Sequence, residues 1–331
     1  MKRRDLTKNQ QRRLNYHMKR AENKIKEIKE KCCIKEDTTL EDKYILNRKL
    51  FITVMKIIIK DLFYNFRWEF DIFLEEEEEE LSHLIQELLD EREEYCHIEI
   101  PQNESSQKLL LRDLMNVREP KKIKSEFYRI QDAYLQTAIE EKGIVDVNDL
   151  KPIQEGIYLW QGDITTLKCD AIVNAANSQM TGCYIPHHRC IDNCIHSYAG
   201  MQLRYACYQI MEKQGKPEAT GKAKITKAYN LPSRYILHTV GPIIYSTVTK
   251  KDEELLASCY RSCLEFAAAY RLESIAFCCI STGEFHFPKE LATKIAIKTV
   301  KEYLKNETSI KKVIFNVFKD EDRGIYERYL R

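Results

Sequence analysis

The sequence predicts an α/β fold in its second half, a three-layer arrangement with a mixed sheet between helices, and a mainly helical region before it. All ten glycines lie at Gly143 or later and the first proline is Pro101, so residues 1–100 lack the two residue types that most often interrupt regular structure. Beyond Gly156, short strand-like runs alternate with helical ones, which is typical of a sheet covered by helices. The chain has 331 residues, 44% of them hydrophobic, enough for the buried cores of about two domains.

Residues 1–80 are predicted to form a charged, mainly helical extension. Residues 1–35 carry thirteen Lys and Arg against four Asp and Glu. This excess could attract nucleic acid or an acidic membrane surface, but a solvated helix without a partner is the favoured interpretation. Residues 44–74 are apolar on nearly every face, which predicts a buried helix or an oligomer interface. The run of glutamates at 75–80 must be solvated and marks the first boundary.

Residues 81–154 keep a helical pattern and are expected to pack on the third region, residues 155–331. In the first of these segments Leu84, Leu88 and Leu89 share one helix face. The third region holds six strand-like runs and three helical stretches. The predicted strands are 157–160, 171–173, 223–226, 235–240, 274–280 and 313–318, and the predicted helices lie near 194–212, 253–270 and 289–303.

Charge and hydropathy exclude several classes of protein. Fifty-three Lys and Arg against 51 Asp and Glu leave a net charge of +2, too small for the whole chain to bind nucleic acid by phosphate neutralisation. No window reaches the roughly 18 to 20 uncharged apolar residues that span a bilayer, so we expect no membrane span. The basic start, residues 1–6, is not followed by the apolar segment of a secretory signal, so a cytoplasmic location is expected. The twelve cysteines are then expected to be reduced thiols.

Three segments that follow predicted strands carry residues suited to ligand binding. The segment 161–165 places the carboxylate of Asp163 directly after a strand. The segment 173–178 holds Asn174 and Asn177, separated by two alanines that leave room for a ligand, although Asn174 could equally cap a turn. The segment 280–288 is a small-residue turn that can aim several N–H groups at phosphate oxygens. Ligands of such sheets bind at the carboxyl ends of the strands.

Taken in order, these segments resemble the macrodomain family over residues 155–331, including the closing strand 312–318. The resemblance implies a mixed sheet between helices and ADP-ribose as the ligand. It further implies that Asp163 holds the adenine amino group beside the N–H of Ile164, and that Asn177 contacts the distal ribose. The residues of one loop would wrap the diphosphate, largely through backbone N–H groups: Ser281, Thr282, Gly283, Glu284 and Phe285. Phe285 would also flank the distal ribose.

The stretch 180–196 departs from the general macrodomain pattern, in which a short run of glycines leads to an aspartate. Here Cys183, His188 and Cys190 have the spacing C-x4-H-x-C, and two thiolates with an imidazole suit zinc. Positions two apart on a helix point to nearly opposite sides, so His188 and Cys190 could share an ion only on extended or irregular backbone. Three protein ligands leave the fourth tetrahedral position open, as in catalytic zinc sites.

This loop resembles that of the zinc-dependent macrodomains, which hydrolyse protein-linked ADP-ribose, and the likeness extends back to about Leu81 through 111–118 and 130–135. The resemblance implies Zn²⁺ as the cofactor on the three loop residues. His187 is the rival of His188 as a ligand, whereas Cys194 and His196 are expected in the core. Asp192 matches the aspartate after the glycine run, which implies a catalytic role; the alternative is a carboxylate that offsets the helix dipole.

The predicted function is therefore a zinc-dependent hydrolase that removes mono-ADP-ribose from modified protein side chains. Asp192 would accept a proton or position the attacking water, while Asn177 and Phe285 fix the ribose. No organic cofactor is expected. One alternative is a reader module that binds ADP-ribosylated proteins without cleaving them. The other is an RNA-associated protein that acts through the basic residues 1–35.

Overall fold

The computed structural model describes residues 80–331, which form one compact unit. The predictions for the charged extension, the basic residues 1–35 and the apolar residues 44–74 lie outside the described residues. Among residues 80–331, no helix combines the length and the apolar character that crossing a bilayer requires.

The unit begins with three helices, as the helical pattern predicts. Residues 80–89 form α1, Glu104–Val117 form α2 and Ser125–Lys142 form α3. Helix α2 starts after Asn103, whose side chain accepts a hydrogen bond from the Ser106 N–H at 2.8 Å and so caps the helix. The three helices share a small apolar core, which includes Leu84, Ile85, Leu111, Phe127 and Met201. Met201 comes from the part of the chain after these helices, so the shared core joins them to the following fold.

A six-stranded mixed sheet forms the centre of the unit. Residues 80–331 hold eight strands, of which all but β1 and β3 belong to this sheet. They are β1 Val145–Asp146, β2 Ile157–Gln161, β3 Leu167–Lys168, β4 Ala171–Ala176, β5 Ala223–Lys227, β6 Tyr235–Val240, β7 Ser274–Phe277 and β8 Lys312–Val317. Their order in the sheet is β2-β8-β7-β4-β6-β5, and every pair is parallel except β5 with β6. Strands β1 and β3 pair separately. All six strands predicted from the sequence are confirmed.

Helices cover both faces of the sheet, which confirms the predicted layers. The helices after β4 are α4 Ile191–Ala199, α5 Met201–Gln214, α6 Lys250–Ala269, α7 Lys289–Tyr303 and α8 Asp320–Leu330. Helices α6, α7 and α8 pack in a row, with α6 on β5 and β6 and α8 on β2 and β8. Helices α4 and α5 pack on each other, with α4 on β4 and α5 on β5. Helices α2 and α3 contact α4.

The helical stretch predicted near 194–212 is confirmed, but the chain breaks it into α4 and α5 at Gly200, which was not predicted. The φ of Gly200 is +94°, a conformation that favours glycine, and a Cβ there would lie 2.7 Å from the Gln131 side chain of α3. Helix α3 therefore packs directly against the break. Helix α8, which the sequence analysis did not predict, completes the opposite layer.

The parallel strands bring the candidate residues to one edge of the sheet. Asp163 follows β2, Asn177 follows β4, and the loop 281–285 follows β7. Residues 177–190 connect β4, in the interior of the sheet, to α4. Since ligands of parallel sheets bind where strands end, this edge is the candidate site.

Candidate active site

Asp192 is a buried carboxylate in the first turn of α4. Its Oδ1 accepts a hydrogen bond from Asn174 Nδ2 at 2.8 Å, and its Oδ2 accepts one from Asn177 Nδ2 at 3.3 Å. Burial raises the pKa of Asp192 to about 6, against the hydrogen bond from Asn174 and the charge of Arg204, which lower it. Asp192 is thus held by two amides rather than by an ion pair.

Asn174 is the side chain that fixes Asp192 from below. It lies in β4, is 0% exposed and does not cap a turn. Its Nδ2 also lies 3.1 Å from Nδ1 of His238, and Nε2 of His238 lies 2.9 Å from Oγ1 of Thr226. A chain of polar contacts therefore runs from Thr226 through the sheet to Asp192. An asparagine inside an apolar strand was the sequence signal for this role, because a buried amide needs partners.

Asn177 directly follows β4 and begins the loop 177–190, which holds Cys183, His188 and Cys190. Its Oδ1 accepts hydrogen bonds from the N–H groups of Gln179 and Met180, at 2.9 and 3.0 Å. Its Nδ2 donates to the carbonyl of Gly182 at 3.0 Å, in addition to Asp192. The structure therefore brings Asn177 and Asp192 together, as a shared site requires.

Cys183, His188 and Cys190 come together in an irregular loop. Their potential ligand atoms all lie within 4.8 Å of one another, and Cys183 Sγ is 3.4 Å from His188 Nδ1. His187, the rival ligand, has a φ of +52° and its Nδ1 lies 2.7 Å from Oδ1 of Asp113 on α2, so it takes a different partner from His188. Two sulfurs and one imidazole nitrogen gathered in this way are a donor set that suits zinc.

Cys190 has a second role as the N-cap of α4. Its Sγ accepts a hydrogen bond from the N–H of Asn193 at 3.4 Å. Burial, with a smaller contribution from the neighbouring Cys183, outweighs the Asn193 hydrogen bond and raises the pKa of the Cys190 thiol to about 12. A divalent cation between the two sulfurs would favour both thiolates.

The loop 281–285 presents unused backbone donors. Within the described part of the chain, the N–H groups of Ser281, Gly283, Glu284 and Phe285 donate no hydrogen bond to protein, whereas Thr282 donates to Cys279. Successive free N–H groups in a turn form a site for an anion. The Glu284 carboxylate also lies 3.6 Å from Nε2 of His188, so the loop 281–285 and the loop 177–190 are neighbours.

Asp163 is anchored by a residue that the sequence analysis missed. Lys142, the last residue of α3, lies 2.8 Å from its Oδ2, while Thr165 donates to its Oδ1 through both N–H and hydroxyl. Burial raises the pKa of Asp163, but the bonds from Lys142 and Thr165 outweigh it, and the pKa is lowered. Ile164 follows with a buried side chain, so only its backbone is free to contact a ligand.

Phe318 is a second residue that the sequence analysis did not assign to the site. It follows β8, and its side chain is 73% exposed. The backbone around it bonds to the segment that carries Asp163: Gly162 N–H donates to Val317 O at 3.0 Å, and Gln161 Nε2 donates to Phe318 O at 3.3 Å. The exposed ring thus follows the strand that pairs with β2, whose end leads to Asp163, and such a ring offers a face on which a heterocycle could stack.

A buried cluster of His196, Cys207 and His238 lies beneath Asp192. Their potential ligand atoms also lie within 4.8 Å of one another. Burial lowers the pKa of His238 to about 3 and that of His196 well below its ordinary value, so both rings are neutral. Both ring nitrogens of His238 already contact Asn174 and Thr226. This cluster therefore supports the position of Asp192 and has no free nitrogen on His238 for a metal.

Comparison with known proteins agrees with this fold. The Macro domain family model matches residues 173–296. A protein-ADP-ribose hydrolase from Treponema medium is 54% identical over 75% of this chain and 96% of its own length. One of the same name from Staphylococcus aureus is 48% identical over 75% and 93% of the two chains.

Solved structures are similar over the same region. The Trypanosoma brucei macrodomain in complex with ADP-ribose is 28% identical, covers 66% of this chain and 95% of its own, and superposes with a TM-score of 0.53. An Oceanobacillus iheyensis macrodomain is 36% identical over 55% and 94% of the two chains, with a TM-score of 0.50. The chain therefore belongs to the macrodomain family and is a hydrolase of the group whose curated relatives are named protein-ADP-ribose hydrolase.

Proposed function

We propose that this protein is a zinc-dependent hydrolase that removes mono-ADP-ribose from modified protein side chains. The observation that supports the proposal is the gathering of Cys183, His188 and Cys190 in the loop that also joins Asn177 to Asp192. The relatives named protein-ADP-ribose hydrolase, and the related macrodomain that binds ADP-ribose, support the substrate class.

Substrate binding is assigned to the carboxyl edge of the sheet. Asp163 accepts a hydrogen bond from the adenine amino group, beside the N–H of Ile164. The free N–H groups of residues 281–285 bind the diphosphate, and Phe285 with Asn177 flanks the distal ribose. These contacts lie away from the bond that breaks, and they hold the ribose in one orientation relative to Asp192.

The donor set of the loop determines the metal. Cys183, His188 and Cys190 would hold zinc, because thiolate and imidazole ligands favour it over magnesium or calcium. When bound, zinc supplies a Lewis acid beside the distal ribose and stabilises negative charge there. Glu284, near the other nitrogen of His188, is placed to orient that imidazole.

Asp192 carries the proton chemistry. The carboxylate positions the attacking water and accepts its proton, while Asn174 and Asn177 keep both oxygens in place. The hydroxyl ends on the ribose, and the proton passes to the released side chain. The hydrogen bonds from the two amides reduce the reorganisation that the carboxylate would otherwise undergo.

The test measures ADP-ribose release from a mono-ADP-ribosylated protein by wild type, Cys183→Ser and Asp192→Ala, together with the zinc content of each. We expect wild type to hold stoichiometric zinc and to release ADP-ribose, and Cys183→Ser to lose both properties. Asp192→Ala should retain zinc and react at least about a hundredfold more slowly, which is the usual contribution of one general acid or base to the rate. Full activity in either variant would contradict the assigned roles.

The same assay distinguishes the reader alternative. A module that only binds ADP-ribosylated protein would retain ligand affinity in wild type without measurable release. In that case Asp192→Ala would change neither the rate nor the product, and the hydrolase proposal would be wrong.

A further inference from the structure

We infer that helix α2 holds the metal-binding loop in its ligand geometry, with Arg112 and Asp113 as positioning residues that select His188 over His187. The inference rests on the proposed zinc site and assigns part of its geometry to a helix that precedes the sheet. Neither residue lies in the loop, and α2 is separated from it by more than sixty residues of sequence.

Arg112 bonds to the loop and to the helix that follows it. Its guanidinium donates to the carbonyl of His188 at 3.2 Å and to Oδ1 of Asn193 at 2.9 Å. A bond to the backbone of His188 fixes that residue whatever its side chain binds. Both bonds come from the same guanidinium nitrogen, Nη2, so this one group joins the backbone of His188 to Asn193 on α4.

Asp113 contacts the neighbouring histidine. Its Oδ1 lies 2.7 Å from Nδ1 of His187, and both side chains are about one third exposed. His187 has the left-handed φ of +52°, which is uncommon for a residue with a side chain. The Asp113 contact offsets the cost of that conformation and anchors His187 to α2, while His188 remains with Cys183.

Asn193 extends the contact between α2 and the loop. It is fully buried, and its Nδ2 donates to Oδ1 of Asn116 on α2 and to the carbonyl of Ile185, each at 3.0 Å. The guanidinium of Arg204 on α5 donates to the carbonyls of Asn116 and Cys183. The loop backbone is thus bonded to α2 directly at His188, and it is linked to α2 through Asn193 at Ile185 and through Arg204 at Cys183.

Residues that orient metal ligands typically change metal affinity about 10- to 100-fold when they are replaced. Loss of the Asp113 contact frees His187 and the loop backbone. Loss of the hydrogen bond from Arg112 Nη2 frees the carbonyl of His188. Each change should therefore speed zinc release without removing a ligand.

The test compares zinc-release rates of the full-length protein, measured with an excess of a chromogenic chelator. The variants are Asp113→Asn, His187→Ala and Arg112→Lys. The matched controls are Glu104→Gln at the start of α2 and Arg129→Lys on α3, whose side chains pair with exposed neighbours within their own helices. We expect about tenfold faster release for the three variants and unchanged release for both controls.

Two further measurements separate positioning from a general loss of stability. The unfolding temperature of each metal-free variant shows whether the fold itself is weakened. The absorbance of the cobalt-substituted protein reports on the sulfur and nitrogen ligands, and we expect it to broaden or shift in Asp113→Asn. Because Asp113 and His187 act as one contact, the double variant should release zinc no faster than either single variant.

The outcomes are distinct. Suppose that wild type holds zinc and is active, and that Asp113→Asn and Arg112→Lys release zinc at the wild-type rate. This result would overturn the positioning inference and leave the proposed zinc site standing. If the double variant Asp113→Asn, His187→Ala released zinc faster than either single variant, with the two effects multiplied, the Asp113–His187 contact would not be what positions the loop. Wild type that holds no zinc in the presence of equimolar metal would overturn the proposed zinc site, and this inference with it.

Discussion

At the scale of single residues, the site is defined by how its polar side chains are paired. Asp192 is held by the amides of Asn174 and Asn177, whereas Asp163 is held by the ammonium of Lys142. Among residues 80–331, no cation is hydrogen-bonded to the Asp192 carboxylate, whereas the ion pair with Lys142 lowers the pKa of Asp163 and keeps it an acceptor. Under the proposed function, these neighbours suit Asp192 to proton transfer and Asp163 to ligand recognition.

Phe318 provides a test of the adenine end of the site. We expect Phe318→Ala to weaken ADP-ribose binding by about 1 to 3 kcal/mol, the usual range for stacking of a base on an aromatic ring, because the exposed ring follows the strand beside Asp163. Isothermal titration with free ADP-ribose measures the change. Tyr270→Ala is the control, since Tyr270 is half exposed at the opposite edge of the sheet, against Tyr235 at the start of β6. Equal affinities in both variants would contradict the assignment.

At the scale of elements, the loop 177–190 is shaped by close packing against α4. The φ of Gly182 is +86°, and a Cβ added there would lie 2.8 Å from the ring of His196. The loop therefore passes directly over the buried histidine beneath Asp192. Only a residue without a side chain permits that approach, which brings Cys183 toward its partners.

This packing gives a matched pair of glycine variants. Gly143 has the same φ of +86°, but an added Cβ would meet no atom within 4 Å. We expect Gly143→Ala to destabilise the fold by about 1 kcal/mol through backbone strain alone, and Gly182→Ala to cost more and to lose zinc through the added clash. Thermal unfolding and zinc content measure both effects. Equal losses in the two variants would show that the His196 contact does not shape the loop.

At the scale of the whole molecule, one carboxylate connects the starts of three strands. Asp170 precedes β4, and its Oδ2 accepts bonds from the N–H groups of Glu273 and Ser274 and from the Ser274 hydroxyl, each at 3.0 Å. Its Oδ1 accepts from Arg234, which precedes β6, at 2.7 Å. Burial raises the pKa of Asp170, but these donors outweigh it, and the folded pKa is lowered.

The lowered pKa of Asp170 predicts a pH-dependent contribution to stability. The contribution is fully present above the unfolded pKa of about 3.9 and is lost as the pH falls through the lower folded pKa. We expect Asp170→Asn to lower the free energy of unfolding by about 1 to 3 kcal/mol at pH 7, and the difference from wild type to shrink below pH 4. Urea unfolding at several pH values measures it. Asp149→Asn, at an exposed residue of the 3₁₀ turn Val147–Asp149, is the control.

The strand runs and the order of the site segments could be predicted from the sequence, because each depends on local pattern. Short, nearly continuous apolar runs are typical of strands buried on both faces of a sheet, and all six predicted strands were confirmed. The spacing of Cys183, His188 and Cys190 already required irregular backbone, which the structure has. The break at Gly200 was missed, because only the packing of α3 against it decides that one helix becomes two.

The sequence by itself determined the fold class, the family and the chemical types of the site residues. Only the tertiary structure decided which of two adjacent histidines joins the cysteines, what Asn174 contacts, and that Lys142 and Arg112 from the preceding helices reach the site. The physical reason is that pattern and spacing act along the chain, whereas burial and hydrogen bonds join residues that are far apart in it.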